Sequence, residues 1–167
     1  MRKSLISLAV IGVVAISAYY ISFSNKESEK SQVIEHFREA EVINPLGKIK
    51  FEPSWFDSEN QMVVYTNNVG NHSLLNYDWN QFVLNNPDVK FIMYYSGKDS
   101  EKLSSFMQEK KFVFPILFDP ERNFYKKNVK GETASIAFLV KNGVNIGMSN
   151  PSFPEFQERL DWLVEQH

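Results

Sequence analysis

The stretch QMVVYTNNVGNHSLLNYDWNQFVLNNPDVKFIMYY (61–95) decides the fold. Gln61 to Thr66 is a compact apolar run of the kind that is buried on both faces of a parallel sheet. Leu74 to Leu84 shows helical spacing, with Leu75, Trp79 and Phe82 on one face. Val89 to Tyr95 is the strongest strand of the chain. A strand, a helix and a second strand in this order predict a right-handed crossover and a parallel pair.

Working toward the C-terminus, Ser96-Gly97 ends that strand, and Asp99 or Ser100 is placed to cap a helix running through Leu103 and Phe106 to Lys111. Phe112 to Phe118 reads as a strand interrupted by Pro115, which argues for an edge or a strand end. Asp119-Pro120 opens a short helix through Phe124 and Tyr125. Ser135 to Val140 is a strand, Lys141-Asn142-Gly143 a hairpin turn, and Val144 to Met148 the returning strand. Ser152-Phe153-Pro154-Glu155 starts a last helix that buries Phe156, Leu160 and Leu163. Upstream, Ile49 to Phe51 reads as a short edge strand. Val33, Ile34, Phe37 and Ala40 recur at helical spacing and predict a short amphipathic helix over 32–42. Asn44-Pro45-Leu46-Gly47 is turn chemistry at the entrance to the domain. The whole is an α/β domain, a three-layer sandwich with a central mixed sheet and helices on both faces.

The 167 residues suffice for one domain of ordinary size with an anchor and a stem. Fourteen Phe, seven Tyr and three Trp supply a packed core. The net charge of −2 provides no broad basic field for nucleic acid, which excludes it as a partner. The N-terminus reads as a membrane address. Arg2 and Lys3 precede Leu5 to Phe23, a run without a charged residue that is about as long as a bilayer-spanning helix. Tyr19, Tyr20 and Phe23 mark its outer end, and the basic residues orient the domain to the extracytoplasmic side. The competing reading is a signal peptide cleaved at Ala15-Ile16-Ser17. The expected organisation is an anchor in the inner-membrane lipid (1–24), a stem with the short helix (25–47) and the folded domain (48–167).

At this level the chain resembles the membrane-anchored, TlpA/ResA-like redoxin group of thioredoxin-like proteins, of the type found in Bacteroidota. Val89 to Tyr95 with its polar turn and helix resembles the second core strand of that group. Phe112-Val113-Phe114-Pro115-Ile116-Leu117-Phe118-Asp119 resembles its "lpfpvl.D" segment. Ser135 to Gly143 resembles its "P-T-x-F-L-I-D-x-x-G" strand and turn. The likeness runs from about Gln61 to Val164. It implies a thioredoxin-like fold and, in the group, thiol–disulfide exchange by a Cys-x-x-Cys pair at the start of the first long helix, opposite a cis-proline.

This chain departs from that pattern at both places. It contains no cysteine, and a thiolate is the nucleophile that disulfide exchange requires. Counted from Tyr65, the pair falls on Gly70 and Ser73, within Gly70-Asn71-His72-Ser73; counted back from Trp79, it falls one residue earlier. The proline position carries Ser135, for which a trans peptide is expected. The resemblance therefore does not bring the activity with it.

No residue in the chain stands out as catalytic. His72 and Ser73 are neighbours at a helix start, where side chains diverge, so a nucleophile–base pair is awkward. Ser73 or Asn71 is suited instead to an N-cap. Asn71-His72-Ser73 matches a glycosylation sequon by chance composition. His36, His72 and His167 form no metal constellation, thiolates are absent, and no phosphate loop or cofactor motif occurs. Asp57, Glu59, Asp99, Glu101, Asp119 and Glu121 fit caps and solvated faces. What remains is a groove between Gly70–Ser73 and Ala134–Ile136, whose amides suit an extended partner segment. The expectation is a redox-inactive scaffolding or binding module with an envelope protein as partner and no cofactor. The alternatives are a subunit that borrows cysteines from its partner, and a non-redox enzyme using the degenerate site.

Overall fold

The computed structural model describes residues 32–71 and 73–165. The apolar run Leu5 to Phe23, His72 and His167 lie outside the described residues, and among the described residues no helix is long and apolar enough to cross a membrane. Among the described residues six strands form one sheet: β1 (Glu41–Ile43), β2 (Asn60–Thr66), β3 (Lys90–Tyr95), β4 (Ile116–Phe118), β5 (Ser135–Lys141) and β6 (Val144–Ser149), in the spatial order β1-β4-β3-β2-β5-β6. The strands β2, β3 and β4 are parallel, while β1, β5 and β6 join antiparallel. The helices are α1 (Trp79–Asn85), α2 (Ser100–Glu109), α3 (Asn123–Asn128) and α4 (Pro154–Glu165), with 3₁₀ turns at Pro53–Asp57 and Leu74–Asn76.

The apolar runs in β2 and β3 are continuous because both faces of these strands are covered. Met62, Val64, Phe91, Met93 and Tyr95 point into one core with Trp79 and Phe82 of α1, Leu103 and Met107 of α2, and Phe156, Leu160 and Leu163 of α4. Val63, Tyr65, Ile92 and Tyr94 point into a second core with Phe56, Phe124 of α3 and Phe138. The alternation of side chains along a strand produces both layers from one run.

The structure departs from five expectations. Residues 32–42 form no amphipathic helix; they run as irregular chain with a turn at Arg38–Glu39, Val33 bridging Val144 of β6 and Glu41–Ile43 pairing with β4. Ile34 is buried while Phe37 and Ala40 pack against the second core, so residues 32–43 belong to the folded sheet rather than to a stem. Ile49 to Phe51 is not a strand; β1 takes the edge instead. The helix expected over 74–84 is broken into a 3₁₀ turn and α1. Asp78 starts a new helix by accepting from the Gln81 amide (3.0 Å), and the Trp79 indole donates to the Leu74 carbonyl (2.7 Å), which a continuous helix would have turned away. The strand over 112–118 begins only after Pro115 and is covered by β1, so Pro115 marks a strand end.

The ends of the sheet have different characters. Thr66 pairs with Ser135 at one pole, and Asn60 pairs with Lys141 at the other. Gln32, the first described residue, lies at the second pole, its carbonyl accepting from the Asn145 amide (2.8 Å).

Phe124 is fully buried, stacks on Tyr94 (centroids 4.2 Å apart, 11° between planes) and meets Phe138 edge-on at 6.1 Å. Phe124→Ala is expected to cost about 3–5 kcal/mol in chemical denaturation. A loss under about 1 kcal/mol would show that the second core is not packed as described.

Candidate functional site

The pole at the carboxyl end of β2 carries the residues singled out from the sequence. Thr66 ends β2 between Tyr95 of β3 and Ser135 of β5. From there the chain turns through 67–73 before the first helical turn. The Asn67 amide donates to the Ala134 carbonyl (3.0 Å), which ties the turn to the segment before β5. Asn68 Oδ1 accepts from the Gly70 amide (3.0 Å), and the Gly70 carbonyl accepts from the Ser73 amide (2.9 Å) and from Asn76 Nδ2 (2.7 Å). Gly70 and Asn71 are exposed, whereas Ser73 is buried. The structure thus leaves Gly70 and Asn71 on the rim and draws Ser73 inward.

Ser73 and Ser135 meet through a residue that sequence reasoning missed. The Thr66 hydroxyl lies 2.9 Å from Ser73 Oγ and 2.7 Å from Ser135 Oγ, and it donates to the Asn68 carbonyl at 3.3 Å. Ser73 Oγ also accepts from the Leu75 amide (3.2 Å), which caps the 3₁₀ turn, while Asp78 caps α1. The expected N-cap role of Ser73 is therefore filled on the 3₁₀ turn. One proton arrangement satisfies every bond. Thr66 gives its single hydrogen to Asn68, and both serines give theirs to the two lone pairs of Thr66. Thr133 adds a hydroxyl bond to the Ser135 carbonyl (2.9 Å). All peptide bonds among the described residues, including that before Ser135, are trans.

A serine becomes a nucleophile when a base within hydrogen-bond reach takes its proton. Among the described residues the partners of Ser73 and Ser135 are hydroxyls and backbone groups, with no carboxylate or imidazole on either. The histidine that the structure does describe, His36, lies in the second core bonded to Tyr94 and Gln61. No group of three or more His, Asp or Glu side chains among the described residues is placed to hold a metal ion. Beside Thr66 on β3, the Tyr95 hydroxyl is pushed up by burial and by the charge of Asp99, so it stays protonated at neutral pH. Ser96 Oγ bonds the Tyr65 hydroxyl at 2.7 Å on the other face of the same strand end.

Comparison of this architecture with solved structures places it. A thiol-disulfide isomerase from Corynebacterium glutamicum superposes with a TM-score of 0.58 at 14% identity, covering 83% of this chain and 99% of that one. A thiol-disulfide oxidoreductase from Bacteroides fragilis gives 0.52 at 9% identity (65% and 83%), and a thiol peroxidase from Chromobacterium violaceum 0.51 at 19% (66% and 73%). The chain has a thioredoxin-like fold. No family model matches the sequence, and no curated protein does. At these identities the likeness carries the architecture, and activity must be argued from the residues. In this thioredoxin-like domain the strand end and helix start are furnished with hydroxyls, and the chain has no thiol of its own.

The hydroxyl cluster gives a direct prediction. Thr66→Val keeps the shape and removes the hub, leaving two buried or half-buried serine hydroxyls without their acceptor. It is expected to lower stability by about 1–3 kcal/mol in urea or thermal denaturation. Unchanged stability would mean that the three hydroxyls do not depend on one another.

Proposed function

We propose that this chain is a redox-inactive, membrane-anchored thioredoxin-like domain of the cell envelope that works as a protein-binding module. The observation that carries this reading is the Thr66–Ser73–Ser135 cluster. Its hydroxyls are bonded to each other and to backbone, at the strand end where a thiol chemistry of this fold would need a thiolate. A site built this way offers surface and backbone amides rather than a nucleophile.

The anchor is argued from Leu5 to Phe23 and the basic residues before it. The proposed contact lies at the hydroxyl pole, where Thr66 pairs with Ser135. At that pole the exposed Gly70, Asn71 and Ala134 border the turn and the start of β5. The Ala134 carbonyl already accepts from Asn67, so an extended partner segment would rely on amide donors and on the 67–71 turn.

The test uses crosslinking of the full-length protein in its native membranes, beside Asn71→Arg and Ala134→Arg variants shown by thermal melting to be folded. A discrete crosslinked partner lost in both variants, with no dithiol oxidation or disulfide reduction by the purified chain, is the expected result. A partner retained by both variants, or turnover of a dithiol substrate by the purified chain, would overturn the proposal.

A further inference from the structure

Residues 32–43 cross one whole face of the sheet, from one edge to the other. The segment starts on β6, where the Ile34 amide donates to the Gly143 carbonyl (2.9 Å) and the Gln32 carbonyl accepts from Asn145. It passes α3, where buried Asn128 meets it three times: Oδ1 accepts from the Glu35 amide (2.8 Å), Nδ2 donates to the Glu35 carbonyl (2.9 Å), and the Asn128 carbonyl accepts from Gln32 Nε2 (2.5 Å). It ends as β1, paired with β4 at the far edge. This strap closes the second core with Ile34, Phe37 and Ala40.

His36 sits mid-strap with its ring turned into that core, 4.8 Å from the Phe56 centroid and 6.4 Å from that of Phe124. Both ring nitrogens are used, and their roles follow from Gln61. The two hydrogens of the Gln61 amide nitrogen are shared among the carbonyls of Trp55, Phe56 and Ser58 (3.2, 3.0 and 2.9 Å), so its oxygen must face His36. That oxygen accepts from His36 Nε2 (2.9 Å), which therefore carries the hydrogen. Nδ1, 3.2 Å from the Tyr94 hydroxyl, is then the acceptor of a neutral ring. A second proton on Nδ1 forces the Tyr94 hydroxyl to turn its hydrogen to the Phe37 carbonyl, which is 3.5 Å away.

We infer that His36 is an acid-sensitive latch: its neutral form pins the strap to the sheet, and its protonation lets the strap open while the central strands stay closed. The charged groups around the ring offer its cation no direct carboxylate. On the strap itself Arg38 opposes the cation, and Glu35 is engaged with Lys127 of α3 (3.5 Å). On the 3₁₀ turn Asp57 favours the cation but is paired with Arg38 at the surface. On β3 Tyr94 is neutral, its hydroxyl pushed up mainly by burial, with Asp119 after β4 and Glu39 on the strap acting in the same direction. Burial outweighs the rest and holds the imidazole below its ordinary value. The open strap exposes the ring and takes up a proton near pH 6.5, whereas the closed strap does so only at lower pH, so acid favours opening. Opening uncovers Phe56, Tyr94 and Phe124 together with the outer edge of β4, surfaces fit to accept another strand. The latch acts on the face away from the hydroxyl cluster and does not rest on the binding role proposed for it.

The test is amide hydrogen exchange of the full-length chain in detergent at pH 7.5 and 5.5, corrected for intrinsic rates. The amides of Ile34, Glu35 and β1 are expected to lose protection by up to about tenfold between these values, the limit set by one proton, while Phe138 and Leu139 of β5 do not follow. His36→Gln is expected to flatten the pH dependence, whereas Asn128→Ala loosens the strap at both pH values and keeps it. Strap and β5 amides opening in step, or an undiminished pH dependence in His36→Gln, would overturn the latch. An NMR titration of the wild-type imidazole covers the case in which His36→Gln does not fold. A midpoint at or above about 6.5 overturns the inference as well.

Discussion

Everything else in this molecule is arranged around two strands that must be hidden on both sides. β2 and β3 carry large apolar residues at successive positions, so neither face can meet water without a cost of about 1.5–3 kcal/mol for each exposed side chain. Three helices cover one face. On the other, α3 is six residues long and too short to do so alone, and the strap completes the layer. The covering elements thus follow from the strands, and the difference between the two covers explains why the N-terminal segment is drawn into the sheet.

The same strands fix where chemistry can take place. Parallel strands deliver their carboxyl ends to one pole, where Thr66 ends β2, Ser73 and Ser96 follow β2 and β3, and antiparallel β5 begins at Ser135. In this chain that pole has been stabilised. Each hydroxyl has a partner, the turn is tied to Ala134 by a backbone bond, and no described base approaches the serines. A pole of this kind ties the turn after β2 to the start of β5.

Much of the architecture was legible in the sequence, and the reasons are local. Asp99 caps α2 as expected, its carboxylate accepting from the Lys102 amide at 2.9 Å. Asn142 and Gly143 adopt the positive φ angles, 50° and 77°, that a tight hairpin needs. Phe156, Leu160 and Leu163 form the buried stripe of α4. The failures occur where tertiary contacts overrule spacing. Val33, Ile34, Phe37 and Ala40 have helical spacing, but Gly143, Asn128 and Gln61 fix a non-helical path that touches the core at irregular intervals. The break before Trp79 depends on its indole reaching Leu74. Thr66 looked like the last residue of a strand. Its one local signal, a hydroxyl closing an apolar run, does not reveal partners 7 and 69 residues away.

The claim on which this account stands is that the pole of β2 is a mutually bonded hydroxyl cluster rather than a poised reactive site. A double-mutant cycle pairing Thr66→Val with Ser135→Ala measures it most directly, since the cycle isolates what the two side chains do for each other. The account predicts a coupling of about 0.5–3 kcal/mol, with the double variant less destabilised than the sum of the single ones. Additivity within about 0.3 kcal/mol would contradict it and leave the two hydroxyls as independent neighbours.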